Sequence, residues 1–311
     1  MNSLAHNLVW LIRRELIEHR RLMRTPWVIA ALLLVLNIGM LLVGSIHRSN
    51  MHLQIRAGAN NLFELASLNL QSLSASDTAD LGRAIALLLL ATLAIFAVAL
   101  LVSLLSYALS CLFDERRDRS ILFWKSLPVG DGESVAAKAL VALLVMPVVW
   151  VLIALLTGWL SMAVYLIPLL LAGADSTVLF SQTHLLSITA LVLAALPVYL
   201  LALAPAVGWL MICSATARRH PLVLAIMVPA VFAVLGALGL PNPIWRMLAG
   251  RLAPRDFSSA VSALAERRGL GEALAVLYQP VASLELWLGV LLCAICLIGA
   301  TIYRRRFTTL I

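Results

Sequence analysis

Charge is what this sequence is short of. Asp, Glu, Lys and Arg supply 12% of the 311 residues, about half the share found in soluble domains. Only two lysines occur, Lys125 and Lys138. There is no Gly-x-x-x-x-Gly-Lys-Ser/Thr run, so the chain has no phosphate loop with which to hold ATP. His-Glu-x-x-His and Gly-x-Ser-x-Gly are also absent, which removes the usual signatures of a zinc protease or a serine hydrolase. Cysteine is scarce as well. Cys111, Cys213, Cys293 and Cys296 all lie in or beside apolar runs. The Cys-x-x-Cys at 293–296 has no second ligand pair and reads as two small packing residues. His47 and His52 lack partners of metal-ligand type, and His184 and His220 stand alone. No catalytic, metal or cofactor site is expected on this chain.

Apolar residues dominate what remains, at 62% of the chain with mean hydropathy +1.00. Several runs exceed the roughly 18 uncharged residues that mark a spanning helix. The short alternating segments of a β-barrel are missing. The fold expected is an all-α polytopic membrane protein with six transmembrane helices, over about 27–46, 84–111, 139–171, 185–213, 222–240 and 286–303. Pro147 and Pro168 are expected to kink or break the third. Segments 47–83 and 241–284 fall between spans, the latter with an amphipathic helix near 257–276.

Charge is distributed unevenly about those spans. Segments 1–26, 112–138, 214–221 and 304–311 carry 15 Lys+Arg against 7 Asp+Glu, whereas 47–83, 173–184 and 241–285 carry 8 against 8. The positive-inside rule then places both termini in the cytoplasm. Residues 1–26 are expected to form an interfacial amphipathic helix. Leu4, Leu8, Leu11, Ile12, Leu16 and Met23 make its apolar stripe, and Arg13, Arg14, Glu15, Glu18, Arg20 and Arg21 its polar side. Trp10, Arg13, Arg14, Arg20 and Arg21 are the candidate membrane-interface residues, with Thr25-Pro26 breaking the helix before the first span.

The segment between the second and third spans is unlike the rest. Asp114, Glu115, Arg116, Arg117, Asp118 and Arg119 are six consecutive charges. Ser120, Ile121, Leu122, Phe123, Trp124, Lys125, Ser126, Leu127 and Pro128 follow as a short apolar and aromatic run, too short to span. Asp131 or Ser134 is placed to cap the next helix. A short helix with aromatic anchors and a charged flank suits the cleft of a partner protein. The same composition also suits a helix whose Trp and Phe rest at headgroup depth.

The run DERRDRSILFWKSLPVGDGE, followed by Lys138, resembles the loop after the second span in permeases of the bacterial ABC type-2 exporter family. Arg119 stands where that family often has glycine. The match covers about 25 residues, and elsewhere the likeness is one of length and layout. The resemblance implies a cytoplasmic coupling helix in which Ser120–Leu127 seats in a separate ATP-binding subunit. It also implies two such subunits carrying ATP and Mg, a second permease subunit in the same inner membrane, and outward transport. The absence of a phosphate loop agrees with a motor on another chain. An ion-coupled carrier is the rival, but the middles of the expected spans hold no Asp, Glu, Lys, Arg or His. A non-transporting membrane anchor is the third possibility.

Overall fold

A computed structural model describes residues 2–47, 75–118, 130–171, 185–237, 259 and 270–307. All the regular structure among the described residues is helical. In chain order, α1 is Asn2–Glu18, α2 Arg20–His47, α3 Ala75–Ser110 and α4 the single turn Phe113–Arg117. Next come α5 (Asp131–Leu140), a π-helical turn (Val141–Val145), α6 (Met146–Leu171), α7 (Leu185–Thr216) and α8 (Pro221–Ala237). Finally, α9 (Leu270–Tyr278) leads through a 3₁₀ turn (Gln279–Ala282) into α10 (Leu284–Phe307).

Five helical stretches are long and apolar enough to cross a membrane, the mark of a multi-pass membrane protein: Arg20–Leu42, Ala86–Arg117, Asp131–Ile167, Leu185–Thr216 and Leu284–Arg306. The fifth expected span, 222–240, maps to α8, whose apolar stretch Pro221–Val231 is shorter than that length. Large apolar side chains point outward, as Trp27, Val28 and Leu32 do on α2, and Trp287, Leu291, Ile295 and Ile298 on α10. The buried stripe of α10 is rich in small residues at helical spacing, whereas Trp150, Tyr107, Leu89 and Met146 are large side chains buried on other helices. On α10 that stripe is Leu286, Gly289, Cys293, Cys296, Ala300 and Arg304. With lipid outside there is little hydrophobic drive between helices, so small residues that allow close approach take the interface.

The chain divides into two compact units. Unit 1 is Met1–Arg20, Leu100–Val148 and Leu191–Ile311; unit 2 is Arg21–Ala99 and Val149–Ala190. Within unit 1, α1 and α10 both pack on α5. Gly208 of α7 lies against the α10 backbone, and a Cβ there would sit 2.8 Å from Cys293 Cα. Within unit 2, Trp150 meets Phe96 edge-on at 6.3 Å between centroids. There too Asn37 Nδ2 donates to Ser161 Oγ (3.2 Å), and the Tyr165 hydroxyl donates to Asn37 Oδ1 (3.0 Å).

Prolines act differently from the sequence expectation. The first break falls at His19, and α2 runs straight through Pro26. Pro26 cannot donate to Leu22 O, but the Thr25 hydroxyl does so at 2.9 Å, and the freed carbonyl stays satisfied. Arg20 Nε meanwhile donates to Ile17 O in the last turn of α1. The π turn precedes Pro147, and its last bond runs from Met146 N–H to Val141 O, five residues back. That wider turn gives the Pro147 ring room where a regular helix would crowd a carbonyl. The expected caps of α5 are also not made: Gly130 is the N-cap, with no side-chain cap bond. The Asp131 carboxylate is taken by Arg304 instead.

Candidate functional site

Charges from four separated parts of the chain meet in unit 1. Glu15 comes from the last turn of α1, Glu115 from α4, Lys138 from α5 and Arg304 from the last turn of α10. All four are buried, Lys138 completely. Lys138 Nζ donates to Glu15 Oε1 at 2.5 Å and lies 3.2 Å from Glu115 Oε1. Arg14 Nη2 reaches the same Glu115 oxygen at 3.0 Å. Arg304 Nη1 donates to Glu115 Oε2 at 2.6 Å. Glu115 therefore has three cations around one carboxylate. Glu15 is further held by the Tyr107 hydroxyl, which donates to Oε2 at 3.2 Å. The His19 ring packs edge-on against Tyr107, with Nδ1 3.6 Å from the same oxygen. A buried carboxylate or ammonium is tolerable only when paired and hydrogen-bonded, as each is here.

Arg304 does one thing more. Its Nε donates to Asp131 Oδ1 at 3.0 Å while its Nη1 holds Glu115. Glu115 precedes segment 119–129 and Asp131 follows it, so one guanidinium ties together the two ends of that segment. The fork of an arginine suits this, because its donors are fixed in one plane.

The departure point of the segment is stapled a second time. Ser214 Oγ, fully buried on α7, accepts the Leu112 and Phe113 N–H groups at 3.2 and 3.0 Å. It also donates to Leu109 O at 2.7 Å. This supplies an N-terminal cap to α4 from another helix. Arg116 returns the service by donating from Nη2 to Ser214 O (2.7 Å) and Ala217 O (2.8 Å) at the end of α7. Its guanidinium also stands over the Phe113 and Tyr303 rings at 5.9 and 5.8 Å.

The residues expected to dock a partner thus separate into groups. Glu115 and Arg116 face inward and hold the base together. Asp114, Arg117 and Asp118 are exposed. Arg119, Ser120, Ile121, Leu122, Phe123, Trp124, Lys125, Ser126, Leu127 and Pro128 lie outside the described residues. Of the interface set, Trp10, Arg13, Arg20 and Arg21 are exposed, whereas Arg14 turns in towards Glu115.

The sequence sets Glu15 on the polar side of α1 and gives Arg304 no site role, whereas the structure buries both; a signal for this existed. Glu15 follows Leu11 by four residues and Leu8 by seven, in phase with the apolar stripe. Arg304 continues the Cys296–Ala300 stripe by one further turn. Among the described residues no cluster of three or more His, Cys, Asp or Glu side chains is arranged to hold a metal. No protein-family model, curated protein or solved structure matches the chain.

Proposed function

We propose that this chain is the membrane-spanning permease subunit of an ATP-driven exporter, coupled through residues 114–128 to a separate ATP-binding subunit. The observation that carries the reading is the Arg304 bridge. One buried guanidinium clamps Glu115 and Asp131, the described residues on either side of the segment, which gives a docking element a fixed base. The same clamp gives it mechanical reach: Glu115 joins the base to α1 through Arg14, Lys138 joins it through Glu15, and Arg304 joins it to α10. A partner that moves segment 119–129 therefore loads three elements together.

In this reading α8 completes six spans, and α1 forms the interfacial helix. Both termini face the cytoplasm of a bacterial inner membrane. Two ATP-binding subunits with their ATP and Mg attach to two permease subunits. Among the described residues, the polar groups buried in unit 2 are neutral: Asn37, Thr92, Thr157 and Ser161. Neutral groups in mid-span favour a pump driven from outside the membrane over an ion-coupled carrier.

Phe123→Ala combined with Trp124→Ala tests the docking assignment. The double variant is expected to extract and assemble normally in mild detergent but to lose the ATP-binding subunit in a pull-down. ATP-dependent transport in reconstituted vesicles should fall with it. Normal association and activity would remove the docking role. Recovery of the wild-type chain from its membrane without any protein carrying a phosphate loop would remove the exporter reading itself, in favour of a carrier or an anchor.

A further inference from the structure

α1 carries different chemistry on its two faces. Towards the protein it sets Leu11 and Glu15, each 2% exposed. Away from it run Trp10, Arg13 and Ile17, spaced three and four residues apart, with Val9 beside them and Arg20 opening α2 just past the turn at His19. Val9, Trp10 and Ile17 are 66%, 47% and 54% exposed, and Arg13 and Arg20 are exposed with them. The acid exposed beside this ladder is Glu18, which lies 3.6 Å from Arg14 Nε. The helix ends at Glu18, and a stretch able to span a membrane begins at Arg20. The C-terminal end of α1 is thereby placed at the surface of a bilayer.

A face that alternates arginine with tryptophan and aliphatic residues at a bilayer surface matches one kind of occupant. Trp10, Ile17 and Val9 suit the boundary between headgroups and acyl chains, and the arginines suit phosphate above it. A water-soluble acidic protein would complement the arginines but not three exposed apolar side chains interleaved with them. We infer that the outer face of α1 binds anionic phospholipid, and that Glu15 on its inner face links this binding to the buried ion cluster. Headgroup charge then bears on the same Lys138 that contacts Glu115. The lipid-binding half stands apart from the exporter reading; only its consequence for segment 119–129 rests on it.

The full-length chain in nanodiscs tests both halves without ATP or any partner, so failure here is distinguishable from failure of the exporter reading. Discs of phosphatidylcholine with added phosphatidylglycerol are prepared with bromine on the acyl chains of one lipid or the other. The fluorescence quenching lost in Trp10→Phe reports what surrounds Trp10. Brominated phosphatidylglycerol is expected to quench Trp10 more strongly than brominated phosphatidylcholine at equal mole fraction. Arg13→Gln and Arg20→Gln should each weaken that preference, by roughly five-fold. Equal quenching by both lipids overturns charge selection, and quenching by neither overturns lipid contact. For the linkage, phosphatidylglycerol should raise the unfolding midpoint of the wild type, and the gain should shrink in Glu15→Gln. Tyr107→Phe, which removes only a hydroxyl donated to Glu15, serves if that variant does not fold. A gain unchanged in whichever of the two folds overturns the link.

Discussion

Unit 1 buries Glu15, Glu115, Lys138 and Arg304 together, whereas unit 2 buries the Asn37 amide against Ser161 and leaves Tyr165 half-buried beside them. Desolvation explains the difference. Removing an ion from water costs several kcal/mol even after relaxation, so charges survive burial only in matched clusters. All four ions of unit 1 sit at or near helix ends, where long side chains converge and carbonyls await donors. An amide with two hydroxyls costs far less to bury and can sit in mid-helix, bonded to a neighbour. Unit 1 is thus built to fail if one member is lost, and unit 2 to yield gradually.

That contrast is sharpest at Glu115. Glu115→Gln leaves Lys138, Arg14 and Arg304 facing a neutral amide, and should destabilise the fold by about 3–5 kcal/mol. Thermal unfolding in mild detergent would show it, and adding Lys138→Met should restore part of the loss. A variant as stable as wild type would mean that the cluster contributes nothing and the contrast fails.

Glycine packing gives a second comparison. At Gly208 in unit 1 a methyl group would meet the Cys293 backbone, whereas at Gly158 in unit 2 it would meet the end of the Leu89 side chain. Gly208→Ala should cost about 1–3 kcal/mol and Gly158→Ala less, because a leucine can change rotamer and a helix backbone cannot. Equal losses in the same unfolding measurement would show the two units to be packed alike.

Smaller effects belong to the neutral cluster. Asn37→Leu should cost about 1 kcal/mol and Tyr165→Phe roughly 0.6 kcal/mol, the range of single hydrogen bonds between membrane helices. Losses comparable with that of Glu115→Gln would place a structural hub in unit 2 as well. Asp114→Asn, next to Glu115 but exposed, should stay within about 0.5 kcal/mol of wild type.

Much of the layout was legible because lipid imposes a simple code. Long apolar runs must be helices, since no other unclosed structure satisfies its own backbone in hydrocarbon. Hence α2, α3, α6, α7 and α10 each overlap an expected span. Helix ends were less legible. Thr25-Pro26 reads as a break in sequence, but a threonine hydroxyl repairs the carbonyl that proline orphans, and the turn moves to His19. Asp131 reads as a cap until a guanidinium more than 170 residues away claims it.

By itself, the sequence determined the class, the helices and the places where charge could stand, because hydropathy and helix period act over neighbouring residues. It also marked residues 114–128 as exceptional. Which charges meet was decided only by tertiary structure. Glu15, Glu115, Lys138 and Arg304 are far apart in the chain, and their pairing depends on which faces of α1, α4, α5 and α10 are turned together. An ion pair has no period and no preferred separation in sequence, so burial alone distinguishes Glu115, which closes the base, from Asp114 beside it, which faces out.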